Sequence, residues 1–283
     1  MSKRHFTLLS LATLILLSAC SRQSNQHAQG YIEGRYTYMA TSVSGRLEKL
    51  LVDRGTEVKK GQLLFVLEAQ PESDMYLAAQ QNLKQAQASR DSVIANLAYA
   101  KLTFERNKVL VPKKAIQQSE LDRARADFES TSAQLVQADA NIASLNASLI
   151  QADWTLQQKE IAAPVDAVVF DTFYRLGEYA EANQPILSLL APADIKAIFF
   201  VEEAMLGGMA LGDPVSVRAD GMTQAYEGHI SFISPTAEYT PPVIYSTETS
   251  PKLIYRIEAE FTADIAKKMH PGQPVEVMFK THG

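Results

Sequence analysis

Residues 119–157 read SELDRARADFESTSAQLVQADANIASLNASLIQADWTLQ, and the spacing within them decides the fold. Leu121, Ala124, Phe128, Thr131, Leu135, Ala138, Ile142, Leu145, Leu149, Ala152 and Leu156 follow one another at intervals of three and four. On a helix such positions fall on one stripe, a heptad seam, and here only Thr131 is not apolar. The preceding stretch carries a matching seam of Tyr76, Ala79, Leu83, Ala86, Arg90, Val93, Leu97, Ala100 and Phe104, broken only by Arg90. Between the two lies Val111-Pro112-Lys113-Lys114, where proline lacks an N–H and disfavours helix in the residue before it, so the chain should turn. A capping-box-like Ser119-Glu120-Leu121-Asp122 should restart the second helix. Two seams joined by so short a turn can only pack antiparallel, as arms of roughly 55–65 Å at 1.5 Å per residue. Polar residues off the seam, such as Gln80, Gln81, Lys84, Gln85 and Gln87, argue for a free-standing hairpin rather than helices buried in a bundle.

The chain has 283 residues, 46% hydrophobic and 21% charged, which suits folded domains rather than disorder. At the N-terminus, Lys3 and Arg4 precede an apolar run over residues 6–17, too short to span a bilayer and right for a signal peptide. The run leads into Leu17-Ser18-Ala19-Cys20, and Cys20 is the only cysteine. The pattern resembles a bacterial lipobox, in which this cysteine is acylated and heads the mature chain. No disulfide within the chain is then possible, and the acyl chains would hold the protein on a membrane without a transmembrane helix. Losing Lys3 and Arg4 with the signal leaves 25 basic residues against 32 acidic ones, a charge of −7. That balance, with no basic run, disfavours a nucleic-acid role. Residues 21–30, SRQSNQHAQG, read as a flexible tether.

On either side of the hairpin stand two short β-rich stretches with glycines at their corners. Shifted by 122 residues, the first falls on the second, with Val43 on Val165, Leu47 on Val169, Gly55 on Gly177, Val58 on Ala180, Gln62 on Gln184 and Leu64 on Ile186. Each half holds too few apolar residues for a core of its own, whereas two together suffice. The hairpin therefore reads as an insertion between two halves of one domain. Beyond it, strands are expected over 195–201, 214–218, 227–233, 252–261 and 275–279, with a short helix over 202–209, as a compact barrel. Residues 234–251, rich in Pro, Thr and Ser, read as a long loop.

This order resembles that of the HlyD-type periplasmic adaptors, also called membrane fusion proteins. Val43-Ser44-Gly45, Val58-Lys59-Lys60-Gly61-Gln62-Leu63-Leu64, Ala162-Ala163-Pro164, Gly177-Glu178 and His270-Pro271-Gly272-Gln273-Pro274-Val275 are similar to the motifs of that family. The fold implied is an elongated α+β one, with a long antiparallel coiled-coil hairpin inserted in a split biotinyl/lipoyl-like β-sandwich and followed by a small β-barrel. The expected division is 1–20 signal peptide, 21–41 tether and first extended segment, 42–70 with 161–192 split domain, 71–160 hairpin, and 193–283 barrel. The resemblance also implies an adaptor without cofactor or catalysis. It would bridge an inner-membrane transporter and a TolC-like outer-membrane channel as a self-associating hexamer, held in the periplasm by its lipid on the inner membrane. Ser21, next to the lipidated Cys20, is by the enterobacterial pattern the residue of an outer-membrane lipoprotein. Residues 239–252 look like the subgroup that serves ABC-type exporters. The family's tip motif of an arginine, a leucine four residues on and a serine seven beyond matches Arg106 and Leu110, with Gln117 in the third place.

A lysine-modified swinging-arm carrier is disfavoured, because the hairpin occupies the turn where such a lysine would sit. His5, His27, His229, His270 and His282 show no metal-ligand spacing, and no phosphate loop or GxSxG is present. Trp154 reads as a packing anchor within the second helix. The alternative from another class is a structural or adhesive lipoprotein that uses the hairpin as a spacer and needs no transporter.

Overall fold

The computed structural model describes residues 25–219, 224–239 and 253–281; Cys20, Ser21 and residues 240–252 lie outside them. The chain divides into two compact units, one holding residues up to 37, 165–170 and 189 onward, the other 38–164 and 171–188.

The hairpin belongs to the second unit. Helix α1 spans Glu72–Leu110 and helix α2 spans Gln118–Gln157, 39 and 40 residues. The two seams are the faces that meet. Leu83, Ala86, Val93, Leu97 and Ala100 on α1, and Ala124, Phe128, Leu135, Ile142 and Leu149 on α2, are buried or half-buried, while the opposite faces are exposed. Phe104 and Phe128 stack across the seam with ring centroids 5.8 Å apart and planes 5° off parallel. Arg90, the break in the α1 seam, donates from Nε to Asp139 Oδ1 of α2. That hydrogen bond pushes the guanidinium pKa up from its ordinary value. A charge at a seam position is thus answered by a carboxylate on the opposite helix. The capping box expected at Ser119 does not form. Helix α2 begins two residues earlier than that box requires, with Gln117 at the N-cap and no side-chain cap hydrogen bond. The Ser119 hydroxyl instead donates to Gln117 Oε1 at 3.5 Å.

The 122-residue repeat is visible strand by strand. β3 (Gly45–Leu50), β4 (Glu57–Val58) and the start of β5 (Leu63–Leu67) correspond by that shift to β7 (Ala167–Thr172), β8 (Tyr179–Ala180) and β9 (Pro185–Leu190). With β2 (Thr37–Ala40) and β6 (Glu160–Ala162), they form two four-stranded sheets, ordered β6-β5-β3-β8 and β2-β9-β7-β4. Each half lends its two-residue strand to the other's sheet, which is why neither half stands alone. The exchange is symmetric in its hydrogen bonds. Gly61 N donates to Ala163 O at 2.8 Å, and its counterpart Asn183 N donates to Thr41 O at 2.7 Å. Both residues have left-handed backbone, φ 82° and 62°, open to glycine and tolerated by asparagine. Leu47, Leu64, Phe65, Leu67, Ala180, Ile186 and Leu187 are fully buried.

The first unit holds a closed six-stranded barrel of β1 (Asn25–Gly34), β10 (Ile195–Glu202), β14 (Leu253–Glu260), β12 (Tyr226–Ile233), β11 (Pro214–Ala219) and β15 (Pro274–Lys280), with β13 (Glu238–Tyr239) added along β14. Alternation puts Val215 and Val217, Val275, Val277 and Phe279 inside. Phe199 and Phe279 meet at 5.8 Å in the core. The tether reading of 21–30 is corrected here, since residues 25–34 are a barrel strand hydrogen-bonded to both β10 and β15. Only Ala28 and Ile32 of this strand are buried hydrophobics, so its alternation is too sparse to stand out in a polar segment. At Gly30 a Cβ would lie 2.2 Å from the Ile198 carbonyl oxygen, so the close approach of β10 requires glycine. The helix expected over 202–209 is a single turn, α3 (Glu203–Leu206), stopped by Gly207 and Gly208. A similar turn, α4 (Ala263–Ala266), precedes β15.

Candidate functional site

The last turn of α1 carries Arg106, exposed, and Leu110, half-buried, one helical turn apart on one flank. Beyond Leu110 the chain folds back tightly. Val111 N donates to Asn107 O at 3.0 Å, and Lys113 N and Ala115 N both donate to Leu110 O at 3.2 Å. Lys114 completes the turn with left-handed backbone, φ 55°. Gln117 is exposed across this turn, with its carbonyl accepting from Glu120 N at 3.1 Å. The structure therefore brings Arg106 and Leu110 together on α1 and sets Gln117 on the other side of the turn, where its side chain is engaged by Ser119.

Asn107, next to Arg106, was missed. Its Nδ2 donates to Glu120 O at 3.2 Å and ties the two helices beneath the tip. The signal was present in the spacing, since Asn107 continues the α1 seam three residues past Phe104. Arg106 pairs with no carboxylate among the described residues. The tip thus offers a solvated cation, an apolar side chain and an amide, a set suited to polar recognition of another protein surface rather than to bond breaking. Among the described residues no group of His, Cys, Asp and Glu could hold a metal ion, and no helix is long and apolar enough to cross a membrane.

The hairpin's foot is anchored by charge. Lys159, just past α2, has a side chain only 2% exposed, and its Nζ lies 2.8 Å from Glu72 Oε2 in the first turn of α1. That contact is ionic rather than a directed hydrogen bond. The same Nζ donates to Ser44 O at 2.8 Å, and Lys159 O accepts from Leu67 N at 2.8 Å. One lysine thereby joins the start of α1, the end of α2 and the strands beside them. Tyr179 adds a hydrogen bond from its hydroxyl to Ser44 Oγ at 3.0 Å. Nothing in the spacing pointed to Lys159, because a lone lysine after a helix usually lies in solvent. Trp154, read as a packing anchor, is 54% exposed on α2 and anchors nothing inside the hairpin.

On the barrel, Lys196 lies 3.3 Å from Glu258 and 2.8 Å from Glu260. The hydrogen bond to Lys196 holds the Glu260 carboxyl below its usual range, and the bond to Glu260 raises the Lys196 ammonium above its own. Arg256 bridges Glu33 at 3.0 Å and Glu258 at 3.1 Å. These pairs join β10, β14 and β1 as cross-strand ties.

Comparison with known proteins agrees with this geometry. Residues 82–159 match a family model described as the alpha-helical hairpin domain of RND membrane fusion proteins. The chain is 30% identical to a UPF0194 membrane protein of Citrobacter koseri, over 92% of this chain and 90% of that one. A UPF0194 membrane protein of Yersinia enterocolitica is 31% identical, over 88% of each chain. Among solved structures, the crystal structure of MacA from Actinobacillus actinomycetemcomitans has the same fold, with TM-score 0.74, 21% identity and coverage of 92% of this chain and 79% of that one. The membrane fusion protein Spr0693 from Streptococcus pneumoniae R6 is also similar, with TM-score 0.64, 17% identity and coverage of 91% and 100%. The resemblance to membrane fusion proteins drawn from the motifs is borne out, and so is the mixed fold of split sandwich, hairpin and barrel.

Proposed function

The chain belongs to the UPF0194 membrane protein family, and from that premise we propose that it is the periplasmic adaptor of a tripartite export system. It links an inner-membrane transporter to a TolC-like outer-membrane channel and works as a hexamer, without catalysis. One observation supports this above others: two helices of 39 and 40 residues leave a split β domain side by side, clamped at the foot by a buried lysine and free at the tip. A clamped arm of that length suits spanning a gap and touching a distant partner with a small surface.

The transporter is of the ABC type, a reading that rests on the resemblance of residues 239–252 to the loop of that subgroup. The match of residues 82–159 to an RND-type model concerns the hairpin and not the pump. Acylation at Cys20 anchors the protein to the inner membrane, with Arg106, Leu110 and Gln117 as the channel-docking residues. Affinity purification of the tagged, full-length protein from crosslinked membranes tests the whole. An ABC-type transporter and an outer-membrane channel in the same complex are expected, and recovery of neither supports the spacer alternative. Within this scheme, Arg106→Ala is expected to reduce recovery of the channel at least tenfold and leave the transporter recovered. Unchanged channel recovery would remove Arg106 from docking.

A further inference from the structure

Where the seams pass Ala100 on α1 and Ala124 and Thr131 on α2, they leave an open groove of about 410 Å3 between the two helices. Both alanines are buried and floor the groove, because a methyl group does not fill the space that leucines fill elsewhere along the seams. Thr131, the one α2 seam residue that is not apolar, lines the same groove. A volume of this size falls within the roughly 300–1,000 Å3 of small-molecule sites. Tyr99 stands at the edge, 73% exposed. Asn96 on α1 and Asp127, Ser130 and Gln134 on α2 complete the walls. None of these four side chains has a partner among the described residues. Thr103 and Thr131 donate their hydroxyls to carbonyls of their own helices, Tyr99 O at 3.0 Å and Asp127 O at 2.8 Å. Their oxygens therefore enter the groove as acceptors.

We propose that this groove binds a sugar chain. A sugar ring presents hydroxyls that both donate and accept, together with a weakly apolar face of C–H bonds. The groove supplies the complement of both. Asn96 and Gln134 offer amide donors and acceptors, Asp127 an acceptor carboxylate and Ser130 a hydroxyl. The Tyr99 ring offers its negative face to the C–H bonds. Asn96 to Thr103 spans about 10 Å of α1 and Ala124 to Gln134 about 15 Å of α2, room for more than one ring. A phosphate or other anion is a poorer fit, because Asp127 is the only charged residue lining the groove and an anion needs Arg, Lys or a row of N–H donors. A peptide is poorer too, since its side chains need apolar pockets and the floor offers two alanine methyls. The site binds without cleaving, as glycoside hydrolysis uses a pair of carboxylates and the groove holds one. The contact asks nothing of the hairpin tip or of a transporter.

Saturation-transfer NMR on the purified full-length protein, in a detergent without a sugar headgroup, tests the site with chitohexaose, maltohexaose and polyglutamate as probes. Transfer to the ring protons of at least one sugar is expected, and none to polyglutamate. Tyr99→Ala should weaken sugar binding about three- to tenfold, the worth of one aromatic face, while Tyr99→Phe should bind as the unaltered chain does. Asn96→Ala with Gln134→Ala should weaken it as well, and all these variants, altered at exposed positions, should keep the helical circular dichroism. Wall glycan and a soluble sugar chain share this chemistry, and co-sedimentation with purified cell-wall glycan separates them. Pelleting with the wall assigns the sugar to it, and binding of the soluble chain alone assigns the site to a soluble glycan; both support the groove. No transfer to either sugar, or equal binding by Tyr99→Ala, would overturn it, and transfer to polyglutamate alone would give the groove to a peptide.

Discussion

Lys159 ties both ends of the hairpin to the segment beside them. Its side chain is 2% exposed and its ammonium faces Glu72, whose side chain is 14% exposed, with Ser44 O as a second partner. Breaking a buried pair costs more than the pair contributes, because the remaining charge is left in low dielectric. Lys159→Met is therefore expected to lower stability in urea unfolding by about 3 kcal/mol, with Glu72→Gln added on top restoring at least half of it. Equal loss in single and double variants would show that lysine packing, not charge, is what matters there. Glu260 is the corresponding residue on the barrel. Lys196 holds its carboxyl below the ordinary 4.5, so the unfolded chain takes up this proton more readily than the folded one. The stabilisation is complete above pH 4.5 and is lost as pH falls through the lower folded value. Lys196 gives the mirror case, fully stabilising below 10.5 and losing its contribution as pH rises through its raised folded value. Unfolding midpoints followed from about pH 7 to about pH 3 should fall less steeply in Glu260→Gln than in the unaltered chain. Parallel curves would remove this pair from the acid response.

Among the elements, the turn at the hairpin tip carries visible backbone cost. Lys114 adopts φ 55°, a region that lysine side chains disfavour and glycine enters freely. Lys114→Gly is expected to stabilise the hairpin by roughly 0.5–1 kcal/mol, read as a higher midpoint in urea; a loss of stability would mean the lysine side chain itself holds the turn. The elements differ in how readable they were. Both hairpin seams were legible because a 3–4 repeat sustained over eleven positions from Leu121 to Leu156 has no competing explanation. The split domain was legible through its internal shift, which the observed strands reproduce. Strand β1 was not, since its inward residues are Ala28, Gly30 and Ile32, two of them nearly invisible to hydropathy, and its partners lie more than 160 residues away. Trp154, which reads as a packing anchor in the sequence, is exposed on α2, since a lone aromatic off the heptad seam has no partner helix to pack on. At the tip, Arg106 and Leu110 follow from the resemblance to the family's motif and Asn107 continues the α1 seam, whereas Lys159 at the foot acts through contacts that a linear pattern does not express.

In the molecule as a whole, the contacts that join the two β halves lie outside its longest element. The exchange of β4 and β8 between the two sheets, the Gly61–Ala163 and Asn183–Thr41 hydrogen bonds, and the buried Leu47, Leu64, Phe65 and Ile186 all lie outside the hairpin. The foot requires only that residues 71 and 160 stay close, which the pairing of β5 with β6 already enforces. Closing a short loop there costs less entropy than closing one across the full hairpin. What removal leaves behind is Lys159, whose Glu72 partner would be gone. Replacing residues 72–158 by a short Gly/Ser turn is therefore expected to destabilise the split domain while Lys159 stays in place. The same excision carrying Lys159→Met should unfold cooperatively and retain the β-sheet circular dichroism. Failure of the second variant to fold would mean that the hairpin organises the β halves. Success would mark the hairpin as a reach-setting insertion, with folding and reach governed by separate parts of one sequence.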